Sequence, residues 1–192
     1  PNDAPPPPMY PQPPFDLSMF LEMTENPQRM ERQVTLIPNP GMFKINEMVV
    51  GVTTTDVVRH MIGGDTTKVA EGRKGMPMHR LPAHMWNQGS FYPLFPADRS
   101  ACLDLAQSEH FEMKAKPDIL ICSSKLPASA AETEKVVLLN PGRLCLGAAG
   151  GTWARVCVHP MDEQQIQAAR DNGEPLLAHD VYKRTGIEVI KI

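Results

Sequence analysis

No apolar run in this 192-residue chain approaches the roughly 18 residues of a membrane span; the best is Ile119-Leu120-Ile121-Cys122. There is no Gly-X-Y period, which excludes a collagen helix. No proline-free heptad pattern lasts long enough for a coiled coil. A basic excess is missing too: 19 Lys and Arg against 22 Asp and Glu leave a net charge of −3. A chain that grips DNA by its own surface usually carries a basic stripe. The nearest candidate, Lys68, Arg73, Lys74 and Arg80, is diluted by Asp65 and Glu71 and reads as a solvated loop. The four cysteines show no C-x-x-C spacing and no zinc-type histidine pairs. Cys122, Cys145 and Cys157 stand in apolar, strand-like surroundings and read as buried reduced thiols, as suits cytosol or nucleus. The chain opens on Pro1, which is not expected to be a native start, so it offers no targeting signal to judge.

What is abundant is proline, 20 residues, 11 of them within the first 40. Pro5 to Pro8 and Tyr10-Pro11-Gln12-Pro13-Pro14-Phe15 dictate an extended backbone that cannot donate to a sheet. Residues 1–16 are therefore either a connector or a strap that docks Tyr10 and Phe15 on a neighbouring surface. Leu17 to Met30 has weak helical spacing, interrupted by Pro27. Short strands are expected at Val34–Ile37, Met42–Ile45 and Met48–Val52. Thr53-Thr54-Thr55-Asp56 caps a helix over Val57–Ile62 that Gly63-Gly64 stops. A second helix can start near Pro82 and run to Gln88, and Phe91-Tyr92-Pro93-Leu94-Phe95-Pro96 reads as a fixed, packed loop. Ile119–Cys122 and Val136–Leu139 are continuously apolar, the pattern of strands buried on both faces. Asn140-Pro141-Gly142-Arg143 follows as a type II turn with glycine where φ must be positive. Strands at Leu144–Leu146, Thr152–Val158 and Ile187–Ile192, and a polar helix at Met161–Arg170, complete the reading.

Candidate chemistry is thin. Gly63-Gly64-Asp65 resembles the Gly-Asp corner of metal-dependent phosphoesterases, but Lys68 stands where a second acid is needed. Gly147-Ala148-Ala149-Gly150-Gly151 lacks the phosphate-cradling patterns and reads as a hairpin loop. The six histidines are scattered without an i, i+4 pair, and no serine sits in a Gly-x-Ser-x-Gly elbow.

Four blocks occur in order: Tyr10–Phe15, Gly51-Val52-Thr53-Thr54-Thr55-Asp56, Tyr92–Pro96, and Pro117-Asp118-Ile119-Leu120 followed by Asn140–Arg143 with Gly150-Gly151-Thr152. In this order and spacing the chain resembles the C-terminal third of the B-subunit family of eukaryotic DNA polymerase alpha. The resemblance implies an α/β fold, the C-terminal part of a calcineurin-like phosphoesterase two-sheet sandwich, inactivated, occupying residues 17–192. Active members of that fold run a buried strand into Gly-His-x-His. Laid on that pattern, Ser123 takes the glycine position, and Ser124 and Leu126 take the two histidine positions. Serine is a poor metal ligand and leucine none. Catalytic residues, metal and cofactor are thus all expected to be absent.

The function implied is a non-catalytic scaffold in the nucleus. It would hold the C-terminal domain of the polymerase's catalytic subunit, reach the primase subunits through the complex and DNA only indirectly, and touch no membrane. Tyr10, Phe15, Tyr92 and Phe95 are the candidate partner-docking side chains; Asn140, Pro141, Gly142 and Arg143 are the structural turn. Two other readings remain open: a metallophosphoesterase whose ligands come from outside this chain, and a DNA-contacting module. The strands at 119–122 and 136–139 are expected to need pairing residues from outside the chain.

Overall fold

β-Branched and aliphatic runs become most of the sheet; the polar-apolar stretches between them become short helices. In a computed structural model we describe residues 9–21, 26, 28, 33–64, 80–173 and 178–192. Helix α1 (Ser18–Leu21) precedes strands β1 (Gly41–Ile45) and β2 (Met48–Thr53), then α2 (Val57–Gly64) and α3 (Ala83–Asn87). A 3-10 segment (Leu105–Phe111) leads to β3 (Ile119–Cys122), β4 (Ser129–Thr133) and β5 (Val136–Asn140). Short strands β6 (Cys145–Leu146) and β7 (Ala149–Gly150), β8 (Thr152–Val158), α4 (Glu163–Asp171), α5 (Val181–Arg184) and β9 (Thr185–Lys191) finish the order.

The main sheet is mixed, in the order β1-β2-β3-β5-β4. β2, β3 and β5 are parallel, and β1 and β4 close the two edges antiparallel. The apolar continuity of β3 and of Val136–Leu139 has its cause in two covered faces. On one face Leu120, Cys122, Val136 and Leu138 pack against Val57, Val58 and Met61 of α2 and Met85 of α3. On the other, Val50, Ile119 and Val137 meet Val181 of α5, with Val156, Val158 and Ile187 of an antiparallel β8–β9 ribbon alongside. The protein is a mixed α/β structure in three layers: helices, mixed sheet, ribbon.

Several expectations change. β3 lies between β2 and β5, and β5 between β3 and β4, so both central strands find their hydrogen-bond partners within the chain and need none from outside. Val34–Ile37 forms no strand; Pro38 and Pro40 flank Asn39 there, and the prolines lack the N–H that a ladder requires. β4 has no counterpart in the sequence reading. Its hairpin turns on Glu134 (φ 52°) and Lys135 (φ 68°), a left-handed pair usually signalled by Asn-Gly. Cys145 and Cys157 are exposed, and only Cys122 is buried; Cys157 faces out because alternate residues of β8 point away from the sheet, and Cys145 lies in the short, exposed β6–β7 hairpin. Burial pushes the Cys122 thiol up to about 12. The basic stretch Lys68, Arg73 and Lys74, and much of the helical reading over 17–30, lie outside the described residues.

The first proline block is tied down at Tyr10. Its N–H donates to Cys102 O (2.9 Å) and its C=O accepts from Asp104 N (2.9 Å). Its ring stacks on Phe111 at 5.2 Å, and its hydroxyl bonds Thr53 Oγ1 at 3.0 Å. Gln12 exchanges backbone bonds with Asn39. Tyr10→Phe is expected to cost about 1–2 kcal/mol by orphaning the Thr53 hydroxyl. Tyr10→Ala should cost about 3–5 kcal/mol through the lost ring. Chemical denaturation of the two variants checks the order.

Arg184 gathers the opposite end. Nε and Nη1 donate to the carbonyls of His179 (2.9 Å) and His159 (2.7 Å), and Nη2 pairs with Glu47 Oε1 at 2.6 Å. The hydrogen bond from Arg184 holds the Glu47 carboxyl below its usual 4.5. A depressed folded pKa gives stability that is fully present above the unfolded value and lost as pH falls through the folded one. Arg184→Gln should therefore melt below the parent at neutral pH. The gap should narrow as pH drops past 4.5 without closing, since the two carbonyl bonds do not titrate.

Candidate functional site

The three parallel strands end together: Thr53 pairs with Cys122 in register, and Asn140 ends β5 beside them. Open parallel sheets bind ligands beyond the carboxyl ends of their strands. The side chains there are Thr53, Asp56, Ser124, Leu126 and Asn140, and their polar groups bond to one another and to the flanking loops.

Asn140 is fully buried and uses its amide completely. Oδ1 accepts from Ser124 N (3.2 Å) and Gly142 N (3.1 Å), while Nδ2 donates to Leu126 O (3.1 Å) and Pro127 O (3.2 Å). One side chain thus sets both the loop after β3 and the turn after β5. Gly142 has φ +76°, as the turn demands, and a Cβ placed there would collide with Thr152 Oγ1 and reach Ala128 Cβ at 3.0 Å. That threonine hydroxyl donates to Pro141 O at 2.8 Å.

Asp56 is engaged in the same way. It caps α2 through Arg59 N (3.3 Å), accepts the Ser124 hydroxyl at 2.6 Å on Oδ1, and accepts Lys125 N at 2.8 Å on Oδ2. Ser124 Oγ in turn accepts from Leu126 N at 3.1 Å. Metal pairs are held by imidazole and carboxylate donors. Here a single carboxylate stands at the strand ends, already accepting three hydrogen bonds from within the chain, and no three His, Cys, Asp or Glu come together among the described residues. The donor set does not fit a metal pair.

A second polar group lies nearby at His60. Asp98 N donates to Tyr92 Oη (3.2 Å), so the Tyr92 proton is free to point at His60 Nδ1, 3.2 Å away. Nε2 then carries the imidazole proton toward Ser100 Oγ at 3.3 Å, and that hydroxyl donates to Asp98 Oδ1 at 2.5 Å. The serine proton goes to the carboxylate rather than the histidine, so the pair does not form an activated nucleophile.

The four candidate docking aromatics separate. Tyr10 (3% exposed) and Tyr92 (7%) are core residues whose rings and hydroxyls are occupied inside this chain, which removes them as partner-docking groups. Phe15 (76%) and Phe95 (96%) face solvent. Ser124, Leu126 and the Asn140–Arg143 turn meet at one place, as their sequence positions imply. Local sequence marks Asp56 only as a cap; nothing near it reveals its bond to a serine 68 residues away.

The family profile for the B-subunit of DNA polymerases alpha and epsilon matches residues 1–131, and the chain belongs to that family. Within it the relatives lie on the alpha side. The chain is 35% identical over 162 residues to the DNA polymerase alpha B-subunit of Schizosaccharomyces pombe, covering 81% of this chain and 27% of that one. It is 31% identical over 150 residues to the Rattus norvegicus protein of the same name (78% and 24%), and 32% over 154 residues to the Drosophila melanogaster one (79% and 23%). The chain spans about a quarter of the length of these relatives.

The turn and its asparagine are separately testable. Gly142→Val should cost on the order of 1–3 kcal/mol in backbone strain alone, with more from the clash at Thr152. Asn140→Ala leaves buried donors and acceptors unmatched and should cost about 3 kcal/mol or more. Melting curves of both variants measure this; a parent-like midpoint for either contradicts it.

Proposed function

We propose that this chain is the C-terminal part of a non-catalytic accessory subunit of the DNA polymerase alpha–primase assembly, acting in the nucleus in DNA replication. Its fold is read as the C-terminal part of a calcineurin-like phosphoesterase whose site has been converted into a structural joint. Its role is to hold the C-terminal domain of the catalytic subunit and, through the complex, connect it with primase. The relatives named as polymerase alpha B-subunits support the assignment to that assembly. The observation that carries the non-catalytic reading is the Ser124–Asp56 hydrogen bond at 2.6 Å. It spends the one carboxylate at the strand ends on loop structure, with Leu126 beside it. Phe15 and Phe95 are the side chains free to dock the partner.

The test uses the complete accessory protein co-expressed with the C-terminal domain of the catalytic subunit. The two should elute as a stoichiometric complex, and a docking phenylalanine cut to alanine should cost about 2 kcal/mol of affinity. Elemental analysis should find no manganese, iron or zinc bound to the accessory protein. Stoichiometric metal, with phosphodiester hydrolysis lost in Asp56→Asn, would establish an enzyme instead.

A further inference from the structure

Beside the Asn140 joint, on the side of the β6–β7 hairpin, the chain forms a cleft of about 390 Å³. It lies beyond the carboxyl ends of β3 and β5, and its volume is in the range of about 300–1,000 Å³ typical of small-ligand sites. Three cations line it, each from a different segment: Lys125 from the loop after β3, Arg143 from the turn after β5, and Lys191 from the end of β9. No carboxylate side chain lines it. Elsewhere Arg155, Lys183 and Arg184 are each paired with an acid. The three cleft cations have no ion-pair or side-chain hydrogen-bond partner among the described residues. In a chain of net charge −3 that gathering is unexpected from composition alone.

The walls are fixed. Thr152 N donates to Arg143 O (2.7 Å), Gly151 N to Leu144 O (2.9 Å) and Thr152 Oγ1 to Pro141 O (2.8 Å). A Cβ on Gly151 would run into Arg143 O, so glycine permits the close approach that forms the wall. Leu126, Pro127 and Ala128 supply an apolar side. Three like charges over a partly apolar surface repel one another unless an anion joins them. Three positive charges exceed what one carboxylate neutralises and match a chain of phosphates.

We propose that this cleft binds an oligophosphate anion of small-molecule size, such as the triphosphate of a nucleotide, between Lys125, Arg143 and Lys191. The proposal does not depend on the accessory-subunit reading, and it requires no chemistry at the site: Asp56 and Ser124 remain engaged with each other.

Isothermal titration of the complete accessory protein tests this with inorganic tripolyphosphate, ATP, orthophosphate and an oligothymidylate lacking terminal phosphates. Tripolyphosphate and ATP are expected to bind more tightly than orthophosphate. Arg143→Gln and Lys191→Gln should each weaken them roughly five- to tenfold, with parent-like melting showing that the fold is intact. Lys44→Gln removes the same charge from edge strand β1 and should leave affinity unchanged. An equal loss in Lys44→Gln, or no binding of tripolyphosphate at millimolar concentration, overturns the site. Tighter binding of the oligothymidylate with the same variant sensitivity overturns the small-ligand assignment in favour of a nucleic-acid strand.

Discussion

The amide of Asn140 is the constraint on which the strand-end region depends. Buried completely, it must satisfy two donors and two acceptor positions or leave them unpaired at about 1–3 kcal/mol each. It does so with the backbone of both flanking loops: Ser124, Leu126 and Pro127 on one side, Gly142 on the other. The loop after β3 therefore cannot move without the turn after β5. Ser124 is delivered to Asp56, and Gly142 to Thr152, as consequences of that one side chain. The arrangement is a rigid joint, and its rigidity comes from saturation rather than from bulk.

The same end of the sheet is closed from the other side by a segment that the sheet cannot incorporate. Tyr10 lies in a proline block without the N–H groups for a strand, yet its own N–H and C=O bracket the chain at Cys102 and Asp104. Its ring fills the space between Phe111 and Tyr92, and its hydroxyl meets Thr53 at the tip of β2. Burial of that hydroxyl raises its pKa well above the ordinary phenol value, so it stays protonated and able to donate at any physiological pH. The strap acts as a peg through one aromatic residue.

At the strand ends, where an α/β protein normally keeps polar groups for a ligand, this chain has turned them inward. Asp56 takes three hydrogen bonds and Asn140 makes four, all within the chain. Around the cleft beside β6–β7 the outward charges are cationic: Lys125, Arg143 and Lys191.

Local pattern alone was enough for the strands that are apolar over four residues, for the Thr-Asp cap of α2, and for the positive φ at Gly142. Each is a property of a few neighbouring residues: continuous burial, a side-chain oxygen near free N–H groups, a proline followed by glycine. Pairing and exposure were not legible in this way. β4 is a weak, half-polar run that becomes a strand because Val136–Asn140 needs a partner on its free edge. Cys157 lies exposed because only alternate residues of β8 meet the sheet. Tyr10 and Phe15 look alike in one proline block, yet one is core and the other faces solvent. Asp56 meeting Ser124, and three cations from three segments meeting in one cleft, are contacts between residues far apart in the chain. Such contacts are set by how the layers stack, which no local run of residues encodes.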